Sequence, residues 1–187
     1  MNLENFTERA RGCVHVAQDL AHGMSHQKFV PEHLLKVLLD DGEGLCPTLI
    51  SSAGGELAVA EQAVALALNR LPKVKGDAAG QLYMSHEMGQ ILSTAQDIST
   101  KAGDRFVTVE RLLLALTLAT GTEAGRVLSD AGVTPQSLDE AINTIRKGRT
   151  AHSVTVENSY AALARYSRDL TESVREGKID PVIGRDE

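Results

Sequence analysis

The sequence has no tryptophan and only 3% aromatic residues, so any core it builds must be aliphatic, drawn from Leu, Ile, Val, Ala and Met. Basic residues are outnumbered, 19 Lys and Arg against 25 Asp and Glu, for a net charge of -6. That balance excludes a non-specific nucleic-acid surface or an anionic-membrane surface, both of which need concentrated Lys and Arg. No apolar run approaches the roughly 18 residues that suggest a membrane span. Met1 to Glu8 does not read as a leader, and the expected location is the cytoplasm. The two cysteines, Cys13 and Cys46, have no partners at metal-ligand spacing and read as reduced, buried residues. Six scattered histidines include one pair four apart, His22 and His26, but no third ligand lies near, so no metal site is expected. No Ser/His/Asp or Cys/His arrangement can be assigned, so no catalytic residue is expected.

What is present is a helical pattern said twice. Hydrophobic content of 42% is enough for a packed core. Phe6, Ala10, Cys13, Val14, Ala17, Leu20, Ala21 and Met24 recur at spacings of three and four, which predicts an amphipathic helix over 6–24. Thr7 stands where it can cap that helix, and Gly23 where it can stop it. Pro31 suits a first helical position, Glu32 the first turn, and Leu34, Leu35, Leu38 and Leu39 a buried face. Two shorter patterns follow, Leu45 to Ala53 and Leu57 to Leu71, and Pro72 ends the second. Residues 72–83 read as a polar connection.

The pattern then restarts 78 positions on: Ser85 in the place of Thr7, Ala95-Gln96-Asp97 for Ala17-Gln18-Asp19, Leu112, Leu113 and Leu116 for Leu34, Leu35 and Leu38. Glu110 stands where Glu32 stood. Ser129, Ala131 and Gly132 repeat Ser51, Ala53 and Gly54, and Thr134-Pro135 opens a last stripe of Leu138, Ala141, Ile142 and Ile145. A constant offset without a gap predicts an all-α fold of eight helices, two four-helix repeats (about 3–72 and 81–147) related by a pseudo-twofold. Each repeat is near the lower size limit for a stable core, so the two should pack together as one domain, 1–147. Residues 148–159 lose the period and read as a flexible linker. Helical character returns from Tyr160, and Ile179 to Glu187 runs extended, as if at the doorway of a further domain.

These residues resemble a known family. The doubled repeat is similar to the N-terminal domain of the Clp class of AAA+ unfoldases. Tyr166-Ser167-Arg168-Asp169-Leu170-Thr171 and Gly177-Lys178-Ile179-Asp180-Pro181-Val182-Ile183-Gly184-Arg185-Asp186-Glu187 look like the opening of the first ATPase module in those proteins. Leu68-Asn69-Arg70-Leu71-Pro72-Lys73-Val74, between the repeats, resembles the ClpB-type disaggregase branch more than the protease-partnered ClpA and ClpC branch.

The resemblance implies a recognition domain, followed at 160–187 by the start of an ATPase module. It would engage exposed hydrophobic segments of misfolded or aggregated polypeptides and pass them to an ATP- and Mg-dependent hexameric motor working with the DnaK system. No Gly-x-x-x-x-Gly-Lys-Ser/Thr loop occurs in the 187 residues, so ATP hydrolysis is not expected of this stretch itself, which is expected to be monomeric and to hold no cofactor. Val182, Ile183 and Gly184 match a segment that passes beside the adenine ring. Thr7, Asp104 and Glu110 match positions that help bind polypeptide or adaptors, Glu32 is the repeat-related partner of Glu110, and Leu92 matches a groove position. The residues themselves leave a second reading open: Thr7 as a helix cap, Glu32 and Glu110 as first-turn acids, Asp104 as a turn residue. Thr94 and Arg111 stand where aliphatic residues are common, which implies a less apolar groove. The alternative within the family is an adaptor-docking or degron-reading domain of a Clp protease unfoldase. A free-standing helical enzyme has no constellation to support it.

Overall fold

The computed structural model describes residues 3–41, 44–74 and 82–157. Among them are eight helices: α1 (Glu8–Gly23), α2 (Pro31–Leu39), α3 (Leu45–Ser52), α4 (Leu57–Arg70), α5 (His86–Lys101), α6 (Val109–Leu118), α7 (Glu123–Asp130) and α8 (Pro135–Arg146). Each helix of the second repeat starts 78 positions after its counterpart (8 and 86, 31 and 109, 45 and 123, 57 and 135). The starts are chemical. Thr7 Oγ1 accepts from Ala10 N–H to cap α1, and Ser85 Oγ accepts from Met88 N–H to cap α5. Pro31 occupies the first helical position of α2, where a missing N–H costs nothing.

α2 and α6 pass through the middle. Seven of the nine residues of α2 are buried, from Pro31 to Leu39, and nine of the ten of α6, from Val109 to Thr117. Helices buried on nearly every side carry little polar surface, and both are leucine-rich. α1, α4, α5 and α7 pack around α2, while α5, α7, α8 and α3 pack around α6. The core is aliphatic except for Phe6 and Phe29, both fully buried.

The repeats are interlaced rather than merely stacked. A short parallel pair, β1 (Lys28–Phe29) with β2 (Tyr83–Met84), joins the lead-in of α2 to the lead-in of α5. Its symmetry mate is the Phe6–Val107 bridge, which joins the lead-in of α1 to that of α6. The all-helical pattern carried no sign of these pairings, because two residues are too few for an alternation. At the pseudo-twofold the mates differ: Val133 fills the space over Gly55, where an added Cβ would lie 2.4 Å from the valine methyl.

The segment expected to be a flexible linker, 148–159, behaves otherwise through Glu157. Ala151 and Glu157 are fully buried. Arg105 N–H donates to Ala151 O, Ala151 N–H to Asp104, and Glu8 N–H to Val154 O. These backbone bonds, which composition does not encode, tie a strap over the open ends of α1 and α6. The tail 160–187, with Val182, Ile183 and Gly184, lies outside the described residues.

Candidate functional site

Two features stand out: an open groove on the second repeat, and a buried polar node behind it. The groove has a volume of about 570 Å³ and runs between α5, the C-terminal end of α6 and the loop into α7. Ile91 and Ala115, nearly fully buried, form its floor. Gln90, Ser93 and Thr94 line one side, and Thr120 and Thr122 the other. Leu118 stands on the rim, 45% exposed. Exposed Met84 lies beside Gly89 of α5, extending apolar surface past one end. Glu87 is the one charged lining residue among those described. Its own backbone N–H and the Ser85 hydroxyl hold its carboxyl below the usual range, so it stays ionised.

The loop is held close by Gly125, whose missing Cβ would sit 2.2 Å from Ala119 O. Thr122 caps α7 by accepting from Gly125 N–H and donates to Ala119 O. The groove therefore has one rigid rim built on a glycine contact and one built on a helix face. An apolar floor with hydroxyl and amide walls can take an aliphatic side chain while bonding to the backbone that carries it.

The node gathers three of the residues expected to contact polypeptide, and it turns them inward. Arg146 of α8 donates from Nη1 to both oxygens of Asp104 (2.9 and 2.6 Å), from Nε to Glu110 Oε1 (2.9 Å), and from Nη2 to Thr108 Oγ1 (3.0 Å). Arg111 Nε donates to Asp104 Oδ2 at 3.1 Å and its Nη1 reaches Asp139 at 3.4 Å. Thr7 Oγ1 donates to Glu157 Oε1 at 2.8 Å, and Val109 N–H donates to the same oxygen at 2.8 Å. Asp104 and Glu110 thus share the Arg146 network, while Thr7 belongs to a separate buried set with Glu157 and Val109 N–H, and all three residues are buried. Arg111 belongs to the node and not to the groove.

Glu32, buried like Glu110, lies apart. Burial pushes its carboxyl up, and the backbone N–H groups of Glu32 and Ala124 pull it back. Leu92 is 6% exposed and points into the core, while its neighbours Ile91 and Thr94 line the groove. Glu157 is the functional-looking residue that sequence reasoning missed. Burial, then the Glu110 carboxylate, pushes its carboxyl up to about 7.

Other chemistry is spoken for. His26 Nδ1 lies 2.8 Å from His33 Nε2, and Val30 N–H donates to His33 Nδ1. Desolvation pushes His33 down to about 4. Burial pushes the Cys13 thiol up to about 11 and raises the Cys46 thiol as well, so neither is a ready nucleophile. Among the described residues no group of three His, Cys, Asp or Glu could hold a metal ion, and no helix is long and apolar enough to cross a membrane.

Comparison with known proteins gives a consistent pattern. The model of the Clp repeat (R) N-terminal domain family matches residues 5–131. The chain is 54% identical, over 187 residues, to the chaperone protein ClpB of Rhodopseudomonas palustris, and covers 21% of that protein. It is 51% identical over the same length to ClpB of Mesorhizobium japonicum, again covering 21%. The chain thus spans about a fifth of the curated relatives it matches. The crystal structure of the Hsp104 N-terminal domain from Candida albicans superposes with a TM-score of 0.70 at 22% identity, over 80% of this chain and 97% of that one, a likeness of fold.

Proposed function

From the premise that the chain belongs to the Clp repeat N-terminal domain family, we propose that it is a polypeptide-recognition domain whose working surface is the α5–α6 groove. The observation that supports this most is the groove's asymmetry: it is open in the second repeat and bolted in the first. The matching crevice beside α1 carries an ion pair between Arg9 and Asp41, where the second repeat has Glu87 and Ala119.

In this reading the groove takes extended, aliphatic segments of misfolded or aggregated chains. Ile91, Ala115 and Leu118 supply apolar contact, and Ser93, Thr120 and Thr122 supply hydrogen bonds. Thr7, Asp104, Glu110 and Glu32 act from behind, by fixing where α6 and α2 begin. The captured segment would pass to a ring of six AAA+ motors using ATP and Mg, in the cytoplasm and together with the DnaK system. In that setting 160–187 would begin the motor, with Val182, Ile183 and Gly184 at the adenine edge. Binding by one domain is weak, because the apolar floor is small, and six copies around a ring supply the avidity.

Titration of a permanently unfolded model protein onto the 187-residue chain tests this. Micromolar or weaker binding, lost in Leu118→Asp and kept in Val16→Asp, is expected. Val16 is exposed at the first repeat's counterpart of Thr94, so it controls for surface charge. Equal binding by both variants, or nanomolar one-to-one binding, would sink the proposal. Binding of folded partners alone would move the reading to adaptor docking.

A further inference from the structure

Glu157 is fully buried, yet among the described residues no cation forms an ion pair with it. Its Oε1 accepts from Thr7 Oγ1, the cap of α1, and from Val109 N–H, the first helical amide of α6. Its Oε2 has no hydrogen-bond partner, and neither has Glu110 Oε2. Among the described residues, the charged groups around it are already engaged. On α1, Arg9 is paired with Asp41 and its charge eases the Glu157 carboxyl down only as the least of the influences on it, and Cys13 is a neutral thiol. On α6 stands Glu110, and from α8 Arg146 is spent on Glu110, Asp104 and Thr108. A charge left in such a place loses its hydration and gains only two hydrogen bonds, beside another carboxylate.

We propose that Glu157 is a proton-operated clasp: it closes the strap Ala151–Glu157 over the N-termini of α1 and α6 in its protonated form, and the strap loosens once the proton leaves. Protonation keeps both bonds to Oε1, since a carboxylic acid's carbonyl oxygen still accepts. It removes the one unpaired charge in the seat. Undocking frees the carboxyl to water, where it ionises in the ordinary range, so undocking releases a proton wherever the seated group still holds one. Docking is therefore strongest in mild acid, weakens as pH rises from about 4.5 toward 7, and levels off above. Neutral pH lies at the upper end of that window, so a fall in pH from there tightens the hold of the strap on the domain.

Hydrogen exchange on the 187-residue chain reads the strap directly. Glu8, Arg105 and Val109 amides donate to it, whereas Val64 and Leu68 amides in α4 do not touch it. After correction for intrinsic rates, protection of the strap-bound amides relative to α4 should fall about a hundredfold between pH 5 and pH 8. Glu157→Gln keeps the shape and the acceptor but cannot ionise, so its protection should stay flat at the acid level. Glu157→Ala should lose strap protection at both ends of the range while α4 stays protected. A flat profile in the natural chain, a sloping one in Glu157→Gln, or full protection in Glu157→Ala would overturn the clasp. Should Glu157→Gln fail to fold, a carbon-13 NMR titration of the natural chain decides: a Glu157 midpoint near 7 supports the clasp, and one in the ordinary carboxylate range overturns it.

Discussion

The two repeats share a backbone and differ in how they handle the same positions. In the first, His26 and His33 meet as a neutral hydrogen-bonded pair. In the second, the same two places hold Asp104 and Arg111, joined as ions. Leu68 of α4 corresponds to Arg146 of α8, so the arginine that ties the second repeat's acids is a plain apolar residue in the first. Pro31 corresponds to Val109. Proline has no N–H to offer, and only the second repeat has a carboxylate, Glu157, seated on that amide. The lesson is a division of labour. The first repeat closes its crevice with Arg9 and Asp41 and has a neutral histidine pair where the second has ions. The second puts its ions inside and leaves its crevice open.

The largest way to break this contrast is to give the second repeat the first one's residue. Arg146→Leu should cost about 3–5 kcal/mol in urea unfolding, because Asp104 and Glu110 lose the cation that offsets their burial. A loss under about 1 kcal/mol would mean the node is not what holds α8. Next comes acid. His33, held down to about 4, binds its proton far less readily folded than unfolded. Its stability contribution is full above about pH 6.5 and is lost as pH falls from there toward 4. Relative to the natural chain, His33→Gln should remove about 2–3 kcal/mol of acid destabilisation across that window. Glu157 titrates with the opposite sign, so the comparison must be made within one background.

The caps separate the repeats more finely. Ser85→Ala should cost about 1 kcal/mol, a lost N-cap. Thr7→Ala should cost about 2 kcal/mol, because it also removes a donor from buried Glu157. Equal costs in thermal unfolding would argue that Glu157 does not depend on Thr7. The smallest effect is at the groove. Thr94→Val, the first repeat's residue at that place, should tighten binding of an aliphatic peptide about threefold, roughly 0.7 kcal/mol for one more buried methyl.

Much of the architecture was legible. Helices with a period of 3.6 announce themselves, and a gapless offset repeats only when the fold repeats. Thr7 and Ser85 cap as their position suggested. Other features were hidden for physical reasons. Two-residue strands leave no alternation to read. Glu157 sits in a polar run without periodicity, and only the backbone bonds of Ala151 and Val154 carry it to α1 and α6. Thr7, Asp104 and Glu110 all lie buried beneath the strap, in two separate hydrogen-bonded sets, and no sequence pattern tells whether they face solvent. The signal that was present and unused is the offset itself. It aligns His26 with Asp104, His33 with Arg111, and Arg9 and Asp41 with Glu87 and Ala119, which locates the open crevice.

The crossed lead-ins have a consequence for how the chain is made. Phe6 pairs with Val107, and Phe29 pairs beside Met84. A ribosome delivers the first repeat before either partner, Met84 soon after and Val107 later, so the lead-ins of α1 and α2 emerge unpaired. Pairing of the α1 lead-in must wait until Val107 has left the exit tunnel. A chain stopped after Val74 should accordingly show no cooperative helix melting by circular dichroism, whereas one stopped after Glu157 should melt as a single unit.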